Sequence, residues 1–351
     1  MNEQKKILEL NFEKTWRGGE RQTLYNMIGF RDSGYNVELI CKKGFPLEKK
    51  ARELNFKTHS FSNTFSVYFY LIFKCRNYKF LHAQTSHILT YCVFSKWFHK
   101  TPIVFSRRVD FVPKGFLTHL KYKYTDYVTG VSQAIKIIIQ NFGIKNVAVI
   151  SDIAVKQNLN KERALKVLIE NNIGSTKKII GTLAAFVDHK DPFTLVKAIK
   201  LLSEKRSDFV FLHFGNGELQ TDIQQTIKEY NLGEHYKVMG FYDNAEDFFS
   251  ILDVFVMSSK EEGLGSSVLD AFLYEVPVAS TTAGGLADLV KESRAEICEK
   301  QNPQALENCI SVLISNPEKI KEHTTNAKIY VEEFHNMQYI TNQYLNLVNG
   351  G

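Results

Sequence analysis

DVFVMSSKEEGLGSSVLDAFLYEVPVAS (253–280) contains a short apolar run, a polar loop, an amphipathic stretch and a second apolar run. The first run has no polar alternation, which is typical of a strand covered on both faces of a parallel sheet. The stretch after the loop has apolar residues at helical spacing. This strand–loop–helix–strand order predicts an α/β architecture with a parallel sheet.

Similar apolar runs recur along the whole chain and alternate with amphipathic stretches. Repeated βα units call for right-handed crossovers and doubly wound sheets. Two such units suit a chain of 351 residues, the first over 1–160 and the second over 161–330. Strands are predicted at residues 6–11, 37–41, 80–83, 103–106, 127–131, 147–150, 178–182, 209–214, 236–240, 253–257 and 277–280.

Composition excludes several classes of protein. No apolar run approaches the ~18 residues that span a bilayer. The polar start MNEQKKILELNF is unlike a secretory signal, so we expect a cytoplasmic protein, with the inner face of the membrane as an alternative location. The five cysteines have neither CxxC nor metal-site spacing, which predicts buried, reduced thiols and no metal site.

Charge is distributed unevenly along the chain. Residues 1–170 have 28 Lys+Arg against 13 Asp+Glu, a net +15, whereas residues 171–351 have 16 against 25, a net −9. The basic half could face an anionic membrane surface, a phosphorylated acceptor or nucleic acid, although it has no recognisable nucleic-acid-binding module. Solvated lysines without a partner are the alternative. The aromatic stretch FSVYFYLIFK (65–74) could be a membrane-interface helix or a buried crossover helix.

The loop SSKEEGLG (258–265) has the features of an anion site. In doubly wound sheets, ligands bind where loops leave the carboxyl ends of strands. We expect the following helix to begin near Ser266 or Ser267, with either serine as its cap and the amides of Gly265, Ser266 and Ser267 directed at a phosphate. Gly263 and Gly265 allow close approach of a ligand. Asp270 could meet a ribose, and Glu262 the group beyond the phosphates.

Residues 262–285 resemble the acid-x7-acid signature of the family-4 retaining glycosyltransferases of GT-B architecture. In that family the motif typically reads E-G-F-G-x-x-x-x-E-A, followed by G-x-P-V-V-A-x-x-x-G-G. Asp270 stands where the family has Glu, so its carboxylate is one methylene shorter. The matching residues here are Glu262, Gly263, Leu264, Gly265, Asp270, Ala271, Pro277, Val278, Ala279, Gly284 and Gly285.

The resemblance implies further contacts with a nucleoside diphosphate sugar. Gly18 and Gly19 in WRGGERQ (16–22) correspond to the family's early Gly-Gly loop beside the diphosphate. Lys190 would contact the departing diphosphate, while Thr182 stands where the family has Arg. By the same resemblance, the stretches 214–220 and 239–249 supply a tight turn and the nucleobase contacts, through Gly215, Gly240 and Phe241.

Acceptor-side residues are expected in the first domain. His82 and His87 in FLHAQTSHI (80–88) correspond to family histidines near the anomeric carbon or the acceptor, and Ser86 lies beside them. A histidine that is hydrogen-bonded within the core is the alternative for each. In SRRVDFVP (106–113), Arg107 and Arg108 suit an acceptor phosphate or carboxylate, and Asp110 an acceptor hydroxyl; an exposed charged turn is the alternative.

The resemblance implies a GT-B enzyme with two Rossmann-like doubly wound domains facing a cleft, and C-terminal helices, about 330–351, packed back on the first domain. It would move a hexose-type sugar from UDP or GDP to a hydroxyl of a glycan or lipid-linked acceptor, with retention of configuration. Glu262 would orient the sugar, and neither metal nor cofactor is expected. Cell-envelope glycan or lipopolysaccharide assembly is the expected setting. A nucleotide-sugar epimerase or hydrolase, or a non-catalytic nucleotide-sugar-binding relative, are the alternatives.

Overall fold

The computed structural model describes residues 5–174, 177–291 and 293–350. The polar start Met1–Gln4, used above to predict location, lies outside these residues. The chain divides into two compact units. The first extends to Ile153 and resumes at Phe334, and the second comprises Ala154–Glu333.

The first unit has a parallel seven-stranded sheet in the described residues. Its strand order is β3-β2-β1-β4-β5-β6-β7. The strands are β1 (Lys6–Asn11), β2 (Asn36–Lys42), β3 (Lys57–Phe61), β4 (Tyr78–Ala83), β5 (Ile103–Arg107), β6 (Tyr127–Gly130) and β7 (Val147–Val149). The helices are α1 (Gly18–Asp32), α2 (Pro46–Glu53), α3 (Thr64–Lys74), α4 (Ser86–His99), α5 (Phe116–Lys123), α6 (Gln133–Asn141) and, from the end of the chain, α14 (Met337–Asn349).

The second unit repeats the plan with a parallel sheet of order β10-β9-β8-β11-β12-β13. The strands are β8 (Lys178–Leu183), β9 (Phe209–Phe214), β10 (Tyr236–Gly240), β11 (Val254–Met257), β12 (Val278–Thr281) and β13 (Glu296–Cys298). The helices are α7 (Lys161–Glu170), α8 (Pro192–Lys205), α9 (Gln220–Glu229), α10 (Ser266–Leu273), α11 (Leu286–Leu289), α12 (Pro303–Ser315) and α13 (Pro317–Phe334), with 3-10 turns at Asp188–Lys190 and Ala245–Ser250.

The predicted fold class is confirmed: both units are Rossmann-like α/β layers around parallel sheets. Every strand predicted from an apolar run is present. The prediction missed β3 and β13, which lie at sheet edges. These two strands bury only part of their surface. Their sequences, KTHSF and EIC, contain polar residues and therefore lack the continuous apolar run of a central strand.

Strand order determines where loops meet. In the first sheet β1 lies between β2 and β4, and in the second β8 lies between β9 and β11. The chain moves away from the first strand of each sheet in one direction and later returns to its other side. Such a switch point leaves a crevice at the carboxyl ends of the two central strands, where doubly wound proteins bind their ligands.

Helix α14 packs on α1 within the first unit. A Cβ added at Gly29 of α1 would lie 2.1 Å from Thr341 Oγ1, so glycine permits the close contact. The Tyr344 hydroxyl lies 2.8 Å from Ser106 Oγ beneath the sheet. All five cysteines are free and buried, as predicted. No helix in the described part of the chain is long and apolar enough to cross a membrane.

A buried histidine makes the second unit sensitive to acid. In β9, His213 is 1% exposed and lies 2.6 Å from the Tyr236 hydroxyl and 3.1 Å from the Ala184 carbonyl oxygen. Burial lowers its pKa from 6.5 to about 3, because the charged imidazolium would lose its hydration. The unfolded chain therefore binds a proton that the folded chain excludes.

We predict that protonation of this histidine in the unfolded chain lowers the free energy of unfolding by about 1.4 kcal/mol per pH unit below about 6.5. The decrease continues down towards the folded-state pKa. The stability contributed by the neutral, hydrogen-bonded His213 is fully present above pH 6.5 and is lost as the pH falls. The variant His213→Gln should show a pH slope of stability one proton smaller, measured by urea unfolding between pH 7 and 5. An unchanged slope in the variant would contradict the assignment.

Candidate functional site

Lys190 and Glu262 meet at the switch point of the second sheet. Glu262 is in the loop after β11, and Lys190 ends the 3-10 turn that follows the neighbouring strand β8. Their side chains form an ion pair, with 18% of the lysine and 14% of the glutamate side chain exposed. The structure thus brings together the two residues that the sequence assigned to diphosphate and sugar, although they are 72 positions apart.

Hydrogen bonds hold the acidic loop, Ser258–Gly265, against the Asp188–Lys190 turn. The Lys260 N–H donates to the His189 carbonyl at 2.9 Å, and the Ser258 hydroxyl donates to the Lys190 carbonyl at 2.9 Å. The Ser259 hydroxyl lies 3.3 Å from Glu262 Oε2. These contacts fix the backbone on both sides of the ion pair. The sequence analysis did not single out Ser258 and Ser259. Their position between the end of β11 and the acidic residues could have indicated that they hold this loop.

Two glycines from the loop after β12 support the acidic loop from below. The Gly285 N–H donates to the Glu262 carbonyl at 2.7 Å. A Cβ added at Gly285 would lie 2.0 Å from the Gly263 carbonyl oxygen, and one at Gly284 would lie 2.3 Å from the Glu262 carbonyl oxygen. Only glycine permits this approach of one backbone to another. Gly284 and Gly285 are therefore needed for close packing against the backbone of Glu262 and Gly263.

The start of α10 differs from the prediction. Gly265, not a serine, is the residue that caps the helix, and no side chain makes the cap hydrogen bond. Its φ of +99° lies in the left-handed region, so Ser266 is already the first helical residue. The serine-cap prediction was wrong because the turn into the helix requires the backbone freedom of glycine. Helix geometry still leaves the first N–H groups of α10, including those of Ser266 and Ser267, without intrahelical partners.

The remaining residues predicted to contact the nucleotide-sugar donor lie on or beside α10 and near the carboxyl ends of β8, β9 and β10. Asp270 lies in the middle of α10 and is 8% exposed, and Leu264 is 4% exposed, so its side chain is part of the core. Thr182 is 1% exposed near the end of β8. Gly215, with a φ of +143°, lies against the loop after β8, and its N–H donates to the Gly240 carbonyl at 2.8 Å.

Phe241 follows directly and has 62% of its surface exposed. The resemblance implied nucleobase contacts from backbone groups around Gly240 and Phe241, and the exposed ring adds a surface on which a planar ligand could stack. Groups of three or more His, Cys, Asp or Glu side chains that could hold a metal ion are absent from the described residues.

In the first unit, Gly18 and Gly19 are the first residues of α1, directly after the β1 loop. The Glu20 carboxylate accepts a hydrogen bond from the Arg17 N–H at 2.7 Å and is 4% exposed. Burial raises the pKa of Glu20 above its usual value. This helix start is therefore capped by the protein's own carboxylate.

The two predicted histidines have different environments. His82 is completely buried, and its ring nitrogens lie 2.7 Å from Glu9 Oε1 and 2.8 Å from Ser106 Oγ. This arrangement agrees with the core-histidine alternative, because neither ring nitrogen faces solvent. His87 is exposed at the start of α4, next to Ser86, and lines a cavity of about 600 Å³ together with Lys14 and Lys42.

The arginines of SRRVDFVP are held within the first unit. Arg107 is 2% exposed; its guanidinium donates to the Tyr122 hydroxyl at 2.7 Å and to the Phe111 carbonyl. The Arg108 side chain is 13% exposed and lies 3.0 Å from the Asp152 carboxylate. Neither alternative foreseen from the sequence, acceptor contact or exposed turn, describes the buried Arg107. Asp110 has a buried oxygen, Oδ2, without a hydrogen-bond partner in the described residues.

Comparison with known proteins shows a match between part of the chain and one protein family. Residues 166–330 match the model of the family Glycosyl transferases group 1. The chain carries a glycosyltransferase match over most of its second unit. The acidic loop, the Lys190 turn and the supporting glycines all lie inside the matched residues.

Individual relatives agree with the family match. An uncharacterized glycosyltransferase of Methanocaldococcus jannaschii is 30% identical over 155 residues, 43% of this chain and 42% of the relative. The poly(ribitol-phosphate) alpha-N-acetylglucosaminyltransferase of Staphylococcus aureus is 23% identical over 214 residues, 60% of this chain and 41% of the relative. The chain thus spans about two fifths of the length of these curated relatives.

A solved structure extends the likeness in fold to the whole chain. The Anabaena protein HepE, crystallised with UDP and glucose, superposes with a TM-score of 0.84, with 99% of this chain and 100% of that chain covered and 16% sequence identity. At that identity the likeness concerns the fold alone. The fold class, two Rossmann-like units, is that of GT-B proteins.

The contact between Gly285 and the acidic loop gives a stability prediction. We expect Gly285→Ala to lower the free energy of unfolding by roughly 1–3 kcal/mol, because the new methyl group would displace the backbone at Gly263. The matched control is Gly233→Ala, since a Cβ there meets no atom within 4 Å. Urea unfolding measures both, and equal stability of the two variants would contradict the packing role.

Proposed function

We propose that this chain is a glycosyltransferase that takes a sugar from a nucleoside diphosphate sugar bound at the switch point of the second unit. The observation that carries the proposal is the ion pair between Lys190 and Glu262 beside the start of α10. A cation, an acid and a helix amino terminus are grouped there within a family match to glycosyltransferases.

The diphosphate is the first group that this site suits. The α10 amino terminus supplies N–H donors and a partial positive charge, and Lys190 supplies a full one. As the donor's sugar–phosphate bond breaks, negative charge develops on the leaving diphosphate. Fixed donors that face this charge stabilise the transition state, so these residues would do the work that a metal ion does elsewhere.

The two acids would hold the groups on either side of the diphosphate. Glu262, at the loop side of α10, would orient the transferred sugar, and Asp270, in the middle of that helix, would bind the ribose. Asp270 is 8% exposed, and its carboxylate is one methylene shorter than that of a glutamate. The nucleobase would lie near the exposed Phe241 ring.

The reaction that we propose keeps the configuration of the anomeric carbon. The acceptor hydroxyl attacks that carbon on the face from which the diphosphate leaves, and a diphosphate oxygen takes the hydroxyl proton. The products are a glycoside and a nucleoside diphosphate. This course requires no separate base, in agreement with His82, whose ring nitrogens are hydrogen-bonded inside the core.

The comparisons support the substrate class. HepE was crystallised with UDP and glucose, which favours a UDP-sugar over a GDP-sugar as the first donor to test. The S. aureus relative transfers N-acetylglucosamine to poly(ribitol-phosphate), by its name. We extend this to a cell-envelope glycan or lipid-linked hydroxyl as the acceptor of the present chain.

The ion pair predicts opposite effects of two variants on nucleotide binding. Lys190→Met should weaken UDP binding by about tenfold or more, because a charged contact with the diphosphate is lost. Glu262→Gln should leave UDP binding equal or tighter, since it frees Lys190 from its partner, but should weaken the extra affinity given by the sugar of UDP-glucose. Calorimetric titration of both ligands measures these differences.

Neighbouring residues provide matched controls for these variants. Lys260→Met and Glu261→Gln make the same chemical changes in the same loop, but Lys260 pairs with Asp188 at the surface and Glu261 is exposed. Both controls should bind UDP like the unmodified protein. If Lys190→Met and Lys260→Met weaken UDP binding equally, the lysine assignment fails. If the unmodified protein binds neither UDP- nor GDP-sugars, the proposed function fails.

A further inference from the structure

The first unit has an exposed apolar face formed by α3, α4 and α5. In the strand order of this sheet, the connections β3–β4, β4–β5 and β5–β6 all run in the same direction. Right-handed crossovers therefore place their helices side by side on one face, opposite α1 and α2. The outer surface of these three helices, called the α3–α5 face below, is where the unusual exposure occurs.

Helix α3 has a row of exposed phenylalanines. Phe65, Phe69 and Phe73 are spaced by four residues, so they share one side of the helix, and they are 69%, 45% and 71% exposed. Their ring centroids are 4.9 and 6.4 Å apart. The opposite side of α3 is buried through Val67 and Leu71. The helix thus packs on the unit through one side, as a crossover helix does, and presents aromatic rings on the other side.

The row continues on the next two helices. Trp97 on α4 is 87% exposed, and Phe116 and Leu117 on α5 are 73% and 72% exposed. An apolar groove of about 810 Å³ lies between α4 and α5, and its walls include Phe94, Trp97, Leu117 and Tyr124. Exposed apolar surface on this scale is typical of an interaction site.

Charge around the face is mostly positive. Residues 54–126, which include α3, α4 and α5, contain eleven Lys or Arg and two acids, Asp110 and Asp126, of which Asp126 pairs with Lys96. Lys74, Lys114 and Lys123 are exposed there, and Lys96, Lys100 and Lys121 border the groove. Two copies of the chain joined through this face would bring like charges together, which opposes a dimer. An anionic partner with an apolar layer below its charges fits both features.

We propose that the α3–α5 face docks on the interfacial layer of an anionic lipid bilayer. Aromatic and aliphatic side chains would enter the headgroup–acyl boundary, while the lysines contact lipid phosphates. This inference does not depend on the proposed function, since it uses only residues of the first unit remote from the nucleotide-sugar site in sequence. Combined with that function, it would give access to acceptors carried by lipids.

Vesicle sedimentation of the full chain tests the proposal. The protein should bind vesicles of phosphatidylcholine mixed with phosphatidylglycerol, bind phosphatidylcholine alone at least about tenfold more weakly, and lose binding in high salt. The triple variant Lys74→Glu/Lys114→Glu/Lys123→Glu should abolish binding. Its control, Lys161→Glu/Lys228→Glu/Lys321→Glu, changes three exposed lysines of the second unit and should bind normally.

The aromatic row is tested separately from charge. Phe65→Ser/Phe69→Ser/Phe73→Ser should weaken binding to anionic vesicles by about tenfold or more, because the apolar contact area is lost. The exposed Ile169→Ser in the second unit is its control. In a Trp16→Phe background, Trp97 is the only tryptophan, and its emission should shift to the blue when anionic vesicles are added.

Three results would overturn the proposal. Normal vesicle binding by the phenylalanine variant would show that the α3 row does not contact the bilayer. An unchanged Trp97 emission in the bound state would show that the groove does not contact it. Equal binding to neutral and anionic vesicles would exclude a role of the lysines in recognising anionic lipid. Absence of vesicle binding, with a dimer in sedimentation velocity that the phenylalanine variant loses, would assign the face to a second copy instead.

Discussion

The ion pair between Lys190 and Glu262 is the constraint on which the second unit's site depends. Each residue follows a different central strand, and their pairing requires that β8 and β11 be neighbours. The hydroxyl of Ser258, the carbonyl of His189 and the backbone of Gly285 all serve to keep the two loops at this contact. Parallel pairing, loop hydrogen bonds and glycine packing therefore converge on one pair of opposite charges.

The ion pair with Glu262 holds the lysine in a position where an anion could meet it. A diphosphate would compete with Glu262 for Lys190, and the released carboxylate would be free to meet the sugar. Both residues keep a small exposed fraction, so a ligand reaches them without unfolding the loop. Preorganisation of this kind lowers the cost of positioning charges during the reaction.

The first unit uses its polar residues differently. Glu9, His82, Ser106 and Tyr344 form a buried hydrogen-bonded network that links β1, β4 and β5 to the returning helix α14. Such a network is costly unless each member is satisfied, and here His82 is satisfied on both ring nitrogens. The residues that suggested chemistry in FLHAQTSHI and SRRVDFVP therefore include structural ones, whereas His87 remains exposed beside a cavity.

Particular residues explain what sequence could and could not predict. Central strands such as FVFLHF are apolar throughout, so their pattern alone located them, whereas the edge strand EIC has no such pattern. Resemblance to known motifs singled out Glu262 and Lys190, and the structure places their side chains in contact. The burial of Arg107 and the cap at Gly265 were not found, since both depend on contacts with distant residues or on backbone angles that one-dimensional patterns do not encode.

The anomeric configuration of the product tests the central claim most directly. An isotope-labelled UDP-sugar can be incubated with the protein and a glycan or lipid hydroxyl acceptor, and the product followed by NMR. Our account predicts a new glycoside with the donor's configuration, together with UDP, and no product with Lys190→Met. An inverted glycoside, or an epimerised or hydrolysed donor without transfer to any acceptor, would contradict it.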